Sequence, residues 1–115
     1  MSELQGIARF TFHEGKVEEF KRLSELCMEV VRTQDTGTLQ YEIYFNDDES
    51  ECIVLERYTD VQALIAHGEH IGHELMEAVG ATGHVHGELL GELSPELKSN
   101  LVGGPVQTFT LYRTV

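Results

Sequence analysis

Two helical patterns of apolar residues interrupt a series of strand patterns, and their order restricts the fold more than any other feature of the chain. The first strand pattern runs from about Leu4 to Phe12. Leu4, Ala8, Phe10 and Phe12 fall on one side, and Gln5, Ile7, Arg9 and Thr11 on the other. His13-Glu14-Gly15 ends the run, and the period then changes. Val17, Phe20, Leu23, Leu26 or Cys27, and Val30 recur at helical spacing from about Val17 to Thr33, and Asp35-Thr36-Gly37 stops the helix. A second strand from about Thr38 to Phe45 sets Leu39, Tyr41, Ile43 and Phe45 on one face. The short polar turn Asn46-Asp47-Asp48-Glu49 leads into a third strand, about Cys52 to Tyr58, so this pair forms an antiparallel hairpin. Asp60 caps a second helix whose apolar face holds Leu64, Ile71, Leu75 and Val79, with Gly80 and Gly83 marking its end. A fourth strand runs from about His84 to Leu93. Ser94-Pro95-Glu96 opens a short helix, Gly103-Gly104-Pro105 is a turn, and a last strand covers about Val106 to Thr114.

The order is β-α-β-β-α-β followed by a short helix and an extra strand. This predicts an α+β, ferredoxin-like domain of the split βαβ kind, one domain over residues 1–115. One sheet face packs on both helices. The other still carries apolar residues that a monomer would leave in water, and a second copy of the chain is the simplest cover for them. The expectation is a homodimer, with the C-terminal strand reaching across to the partner subunit.

Composition removes several classes of function. The formal charge is −12, and the eight Lys and Arg are scattered, which argues against nucleic acid. No apolar run approaches the ~20 residues of a membrane helix. The first residues, Met1 to Gln5, lack a basic stretch followed by an apolar one, so a cytoplasmic protein is expected. Cys27 falls in a helix pattern and Cys52 in a strand pattern, where they read as reduced, buried small hydrophobes.

Tyr41-Glu42-Ile43-Tyr44, the run Ile53-Val54-Leu55-Glu56-Arg57-Tyr58, and Ala66-His67 followed by His70-Ile71-Gly72 resemble the antibiotic biosynthesis monooxygenase family. Gly91-Glu92-Leu93-Ser94-Pro95-Glu96-Leu97 resembles the C-terminal segment of one of its branches. The resemblance implies a dimeric α/β barrel made by two sheets packed face to face. It also implies a monooxygenase that takes a small aromatic substrate, such as a quinol, anthrone or polyphenol, and uses no flavin or metal. Relatives of the same fold degrade haem or isomerise lactones, so the fold does not settle the reaction. The chain has no tryptophan. The Asn-Trp-His arrangement of haem-degrading relatives therefore cannot be assembled, and the tryptophan of anthrone oxygenases is missing.

Four residues are candidates for catalysis: His67, Arg9, Tyr41 and Tyr58. His67 follows Leu64 by three and precedes Ile71 by four, so it borders the apolar face of the second helix. There an imidazole can take a phenolic proton, or else bond structurally to a neighbouring strand, for instance to Glu56. A tyrosine hydroxyl in a cavity can bond a substrate carbonyl or enolate; alternatively Tyr41, Tyr44 and Tyr58 pack as cross-strand aromatics, with Tyr41 and Tyr44 on opposite faces. Arg9 and Arg57 lie within strands, where each can hold an oxyanion or form an intersubunit ion pair with Glu42 or Glu56, and the ion pair is the favoured reading. His70 and His73 on the helix, with His84 and His86 on a strand, contain metal-ligating chemistry, but nothing in the spacing brings the two sets together, and no metal is expected. Asp47 to Glu51 reads as a solvated turn. Two functions stay open at this point: a cofactor-independent monooxygenase, and a non-catalytic dimeric protein that binds a small aromatic molecule in the same cavity. The missing tryptophan leans toward the second, but the enzyme is the favoured reading.

Overall fold

The computed structural model describes residues 3–115. Its sheet has five strands: β1 (Leu4–Phe12), β2 (Thr38–Phe45), β3 (Glu51–Tyr58), β4 (Gly83–Leu90) and β5 (Val106–Phe109), in the order β2-β3-β1-β4-β5. β1 is antiparallel to both β3 and β4, and β2 is antiparallel to β3. Helix α1 (Val17–Gln34) links β1 to β2, and helices α2 (Val61–Ile71) and α3 (His73–Gly80) link β3 to β4. A short helix α4 (Pro95–Leu101) precedes β5, capped by the Ser94 hydroxyl, which accepts from the Leu97 amide. This is the ferredoxin-like arrangement expected from the order of patterns. No helix among the described residues is long and apolar enough to cross a membrane.

The helix-facing side of the sheet carries the core. Phe10, Phe20, Cys52 and Val54 are buried together, with Ala8, Phe12, Tyr41, Ile43, Phe45, Val79 and Val85 packed around them. Phe20 of α1 is the keystone: its ring lies 5.0 Å from that of Phe10 and 4.9 Å from that of Phe12, at the tilted angles aromatic pairs prefer. Cys27 and Cys52 are free and buried, and burial pushes the Cys52 thiol up to about 12. Both behave as small apolar residues at neutral pH.

Four features differ from the sequence expectation. The second helix is two helices, because Gly72 adopts φ 84°, a left-handed conformation that cannot continue a right-handed helix. The β2–β3 register shifts between Thr38 and Gln40, so Leu39 is the extra residue of a bulge and lies exposed instead of sharing the face of Tyr41. β4 stops at Leu90, where Gly91 turns the chain at φ 135°. β5 is only four residues long and lies parallel to β4 of its own chain, from Val106 opposite Gly87 to Phe109 opposite Leu90.

The opposite sheet face is mixed. Ile7, Ile53 and Leu55 form a partly exposed apolar centre, while Arg9 crosses it to bond Glu88.

Replacing Phe20, which is 2% exposed, by Ala removes the ring that joins α1 to β1. The expected loss of unfolding free energy in urea is about 3–5 kcal/mol, the usual range for a buried Phe→Ala.

Candidate functional site

Between the sheet and the helices lies a cavity of about 140 Å³. β1 contributes Ala8 and Phe10, and β2 and β3 contribute Tyr41, Ile43, Val54 and Glu56. α1 closes it with Phe20, Ser24 and Cys27; Ile71 at the end of α2 and Met76 and Val79 of α3 close the remaining side. The strand alternation puts Tyr41, Ile43, Val54 and Glu56 on one face, since Tyr41 is directly opposite Glu56 and Ile43 opposite Val54.

The wall is apolar except at one end. Ser24 donates to the Lys21 carbonyl of its own helix at 2.8 Å. The Tyr41 hydroxyl and the Cys27 thiol are neighbours; burial, then the charge of Glu56, holds the Tyr41 hydroxyl well above its ordinary value. The Tyr58 hydroxyl donates to Glu56 Oε1, and burial with the adjacent Glu56 charge pushes that phenol up as well. Glu56 itself is pushed up by burial, and the opposing effects of the Tyr58 bond and of His67 do not cancel that rise. A carboxyl in this condition holds its proton more strongly than an exposed one.

Behind Tyr41 and Tyr58 stands His67, 7% exposed, with its ring centroid 5.5 Å from one tyrosine and 5.4 Å from the other. It belongs to a second polar group centred on Asp35. His67 Nδ1 is 2.8 Å from Asp35 Oδ2, and His70 Nδ1 is 2.7 Å from Asp35 Oδ1. The Thr38 hydroxyl donates to Oδ2 at 2.6 Å. The local sequence explains the convergence. Asp35 is the residue that ends α1, Thr38 is the first residue of β2, and His67 and His70 are three apart on α2, so they share a side. Burial disfavours the Asp35 charge, yet the bonds from Thr38, His70 and His67 outweigh it and hold the carboxyl below its usual range. An ionised carboxylate only accepts, so each imidazole presents Nδ1–H to it.

The structure thus brings together three of the residues expected from sequence, His67, Tyr41 and Tyr58, and separates the fourth. Tyr41 lines the cavity; Tyr58 and His67 stand behind its polar end. Arg9 sits on the opposite face of β1, and within its own chain its Nε lies 3.4 Å from Glu88 Oε1. Strand alternation is the reason: Arg9 is one residue from Ala8 and from Phe10, both of which face the cavity. Arg57 shares that fate and bonds Glu3 at 3.0 Å. Tyr44 is also on the far face, bonded to Glu42 at 2.9 Å. The histidines do not assemble either: His73 pairs with Glu77, His86 with Glu88, and His84 packs edge-on against His13. Among the described residues no group of three His, Cys, Asp or Glu side chains could hold a metal ion. Asp35 was legible only as a helix stop. Its distance of 32 residues from His67 leaves no periodic signal of their meeting.

Asp35→Asn, at a side chain 3% exposed, should cost about 2 kcal/mol at neutral pH, the scale of lost hydrogen bonds to a charged group. The folded carboxyl has a depressed pKa, so its contribution is complete above about pH 4 and fades as pH falls through the folded value. Urea unfolding of both proteins across this range should show the difference shrinking in acid.

The antibiotic biosynthesis monooxygenase family matches residues 6–84, a span that includes every cavity residue and Asp35, His67 and His70. Among solved structures the chain is similar to MupZ from Pseudomonas fluorescens, with a TM-score of 0.83 and 23% identity over 98% of this chain and 88% of that one. It is similar to Rv0793 from Mycobacterium tuberculosis, with a TM-score of 0.65 and 24% identity over 80% of this chain and 96% of that one. It is also similar to the N63A mutant of SnoaB, a cofactor-independent oxygenase from Streptomyces nogalater, with a TM-score of 0.64 and 15% identity over 80% and 94% of the two chains. Identities this low speak for a shared fold. No curated protein matches the sequence. The match over residues 6–84, which contains every residue that lines the cavity, places this chain in the antibiotic biosynthesis monooxygenase family.

Proposed function

We propose that the protein is a cofactor-independent monooxygenase of a small aromatic substrate, acting as a homodimer. The observation that carries this reading is the cavity itself: an apolar chamber whose wall includes Glu56 and Tyr41, directly opposite each other on neighbouring strands. An electron-rich phenol or quinol fits that division, ring against the apolar wall and oxygen at the polar end. SnoaB, which has the same fold, is a cofactor-independent oxygenase.

In this reading the substrate loses a proton at the polar end and gives one electron to dioxygen. The substrate radical and superoxide combine at a ring carbon to give a peroxide anion, the proton returns to its outer oxygen, and the resulting hydroperoxide loses water to leave a carbonyl. For a phenol the balance is phenol plus dioxygen giving quinone plus water. The residues orient the ring, exclude water and receive the proton. His67 is a positioning residue: Asp35 fixes its tautomer, and its ring is packed against Tyr41 and Tyr58. Arg9 has no part in the chamber; it supports the open sheet face through Glu88. The reading places the protein in the cytoplasm, where its two buried thiols stay reduced.

The open face supports the dimer. Ile7, Ile53 and Leu55 are side by side on adjacent strands, and a second sheet laid on them would take this apolar surface out of water. Leu55→Asp should therefore yield a folded monomer in sedimentation, because the substitution leaves the helix-facing core untouched; a dimer that survives it would be built on some other surface.

Oxygen consumption by chelator-treated protein tests the activity, with hydroquinones, naphthols and anthrones as substrates. Uptake above background, reduced about tenfold or more in His67→Ala, is the expected result when the ring that positions Tyr41 and Tyr58 is lost. Binding of the same compounds without uptake would instead identify a ligand-binding protein.

A further inference from the structure

We propose that the cavity takes a monocyclic phenol, whose hydroxyl donates to the Glu56 carboxylate and passes its proton there as the ring gives an electron to dioxygen. This rests on the cavity being the substrate site and adds the size of the substrate and the residue that acts on it. Glu56 is then a catalytic residue.

Size comes first. The chamber holds about 140 Å³. An engineered apolar cavity of ~150 Å³ holds one benzene ring. The flanking walls do not yield easily: Phe10, Phe20 and Val54 belong to the packed core, and interiors of this density do not stretch to admit further fused rings. Of these elements α3 offers room, since it follows directly on Gly72 and has no buried residue.

Chemistry then points to one group. Of the polar side chains in the wall, Ser24 is committed to its own helix and Tyr41 lies against Cys27. Glu56 receives the Tyr58 hydroxyl on Oε1, and among the described residues no donor reaches its other oxygen. A phenol hydroxyl can supply that missing donor. His67 is a poorer acceptor from this chamber: it is absent from the wall, and its Nδ1 faces Asp35. Burial raises the Glu56 carboxyl above its ordinary value, so its ionised form is a stronger base than an exposed carboxylate, which suits a group that must receive a proton. The transfer balances: the phenol O–H bond breaks, a Glu56 O–H bond forms, and the electron goes to dioxygen, leaving a phenoxyl radical and superoxide. Tyr58 is a positioning residue here, since it orients the carboxylate without reaching the cavity.

The test is anaerobic titration calorimetry of the full chain with phenol, hydroquinone, toluene, 1-naphthol and anthrone. Phenol and hydroquinone should bind saturably, and 1-naphthol and anthrone at least about tenfold more weakly. Glu56→Gln keeps an acceptor for Tyr58 but removes the charge; it should weaken phenol about tenfold or more, as expected for a hydrogen bond to a charged group, and leave toluene unchanged. Met76→Phe, on the half-exposed lip of α3, narrows the chamber and should abolish phenol binding in a protein whose core is untouched. Equal binding of 1-naphthol and phenol, no phenol binding, unchanged phenol affinity in Glu56→Gln, or phenol binding that survives Met76→Phe would each overturn the proposal. Because oxygen is excluded, phenol binding that depends on Glu56 but shows no later oxygen uptake would sink the oxygenase reading and leave the size and contact assignment standing.

Discussion

Asp35 ties the end of α1, the start of β2 and the C-terminal half of α2 to one carboxylate. Thr38, His67 and His70 all bond it, and its side chain is almost wholly buried. A buried charge is costly unless it is satisfied on every side, and here three donors outweigh the burial. Because the bonds are directional, they fix more than the charge. They set the rotation of α2, hold the His67 ring against Tyr41 and Tyr58, and so decide what stands at the polar end of the cavity.

Glu56 is the counterpart of Asp35. Both are carboxyls beside histidine, yet burial dominates at one and hydrogen bonding at the other, so their proton affinities move in opposite directions. The arrangement stabilises the fold at Asp35 and costs stability at Glu56. A raised carboxyl makes the folded state less favourable as pH rises from the ordinary carboxyl range through the folded value, and that cost persists at neutral pH.

The two faces of the sheet divide the work. Even-numbered positions of β1 and β3 build the core and the cavity wall; odd-numbered ones carry Arg9, Ile53, Leu55 and Arg57 to the far side. A single residue of register would exchange these sets, so antiparallel pairing on both sides of β1 fixes the site as firmly as it fixes the core.

The sequence by itself determined the elements and their order, since apolar period and helix caps are local properties. Alternation in β1 correctly set Arg9 apart from Phe10, and the same rule set Tyr44 apart from Tyr41. Spacing on α2 put His67 beside the apolar stripe. Local conformation escaped it in places: Gly72 breaks the second helix by its backbone angle, and the bulge at Leu39 follows from how β2 pairs, not from what β2 contains. Only the tertiary structure decided that Asp35 meets His67 and His70, that Glu56 faces a chamber with Tyr58 behind it, and that Arg9 bonds Glu88. Each of these joins residues distant in the chain, and their meeting depends on sheet register and helix docking. A hydrogen bond between remote side chains leaves no period in the sequence to be read.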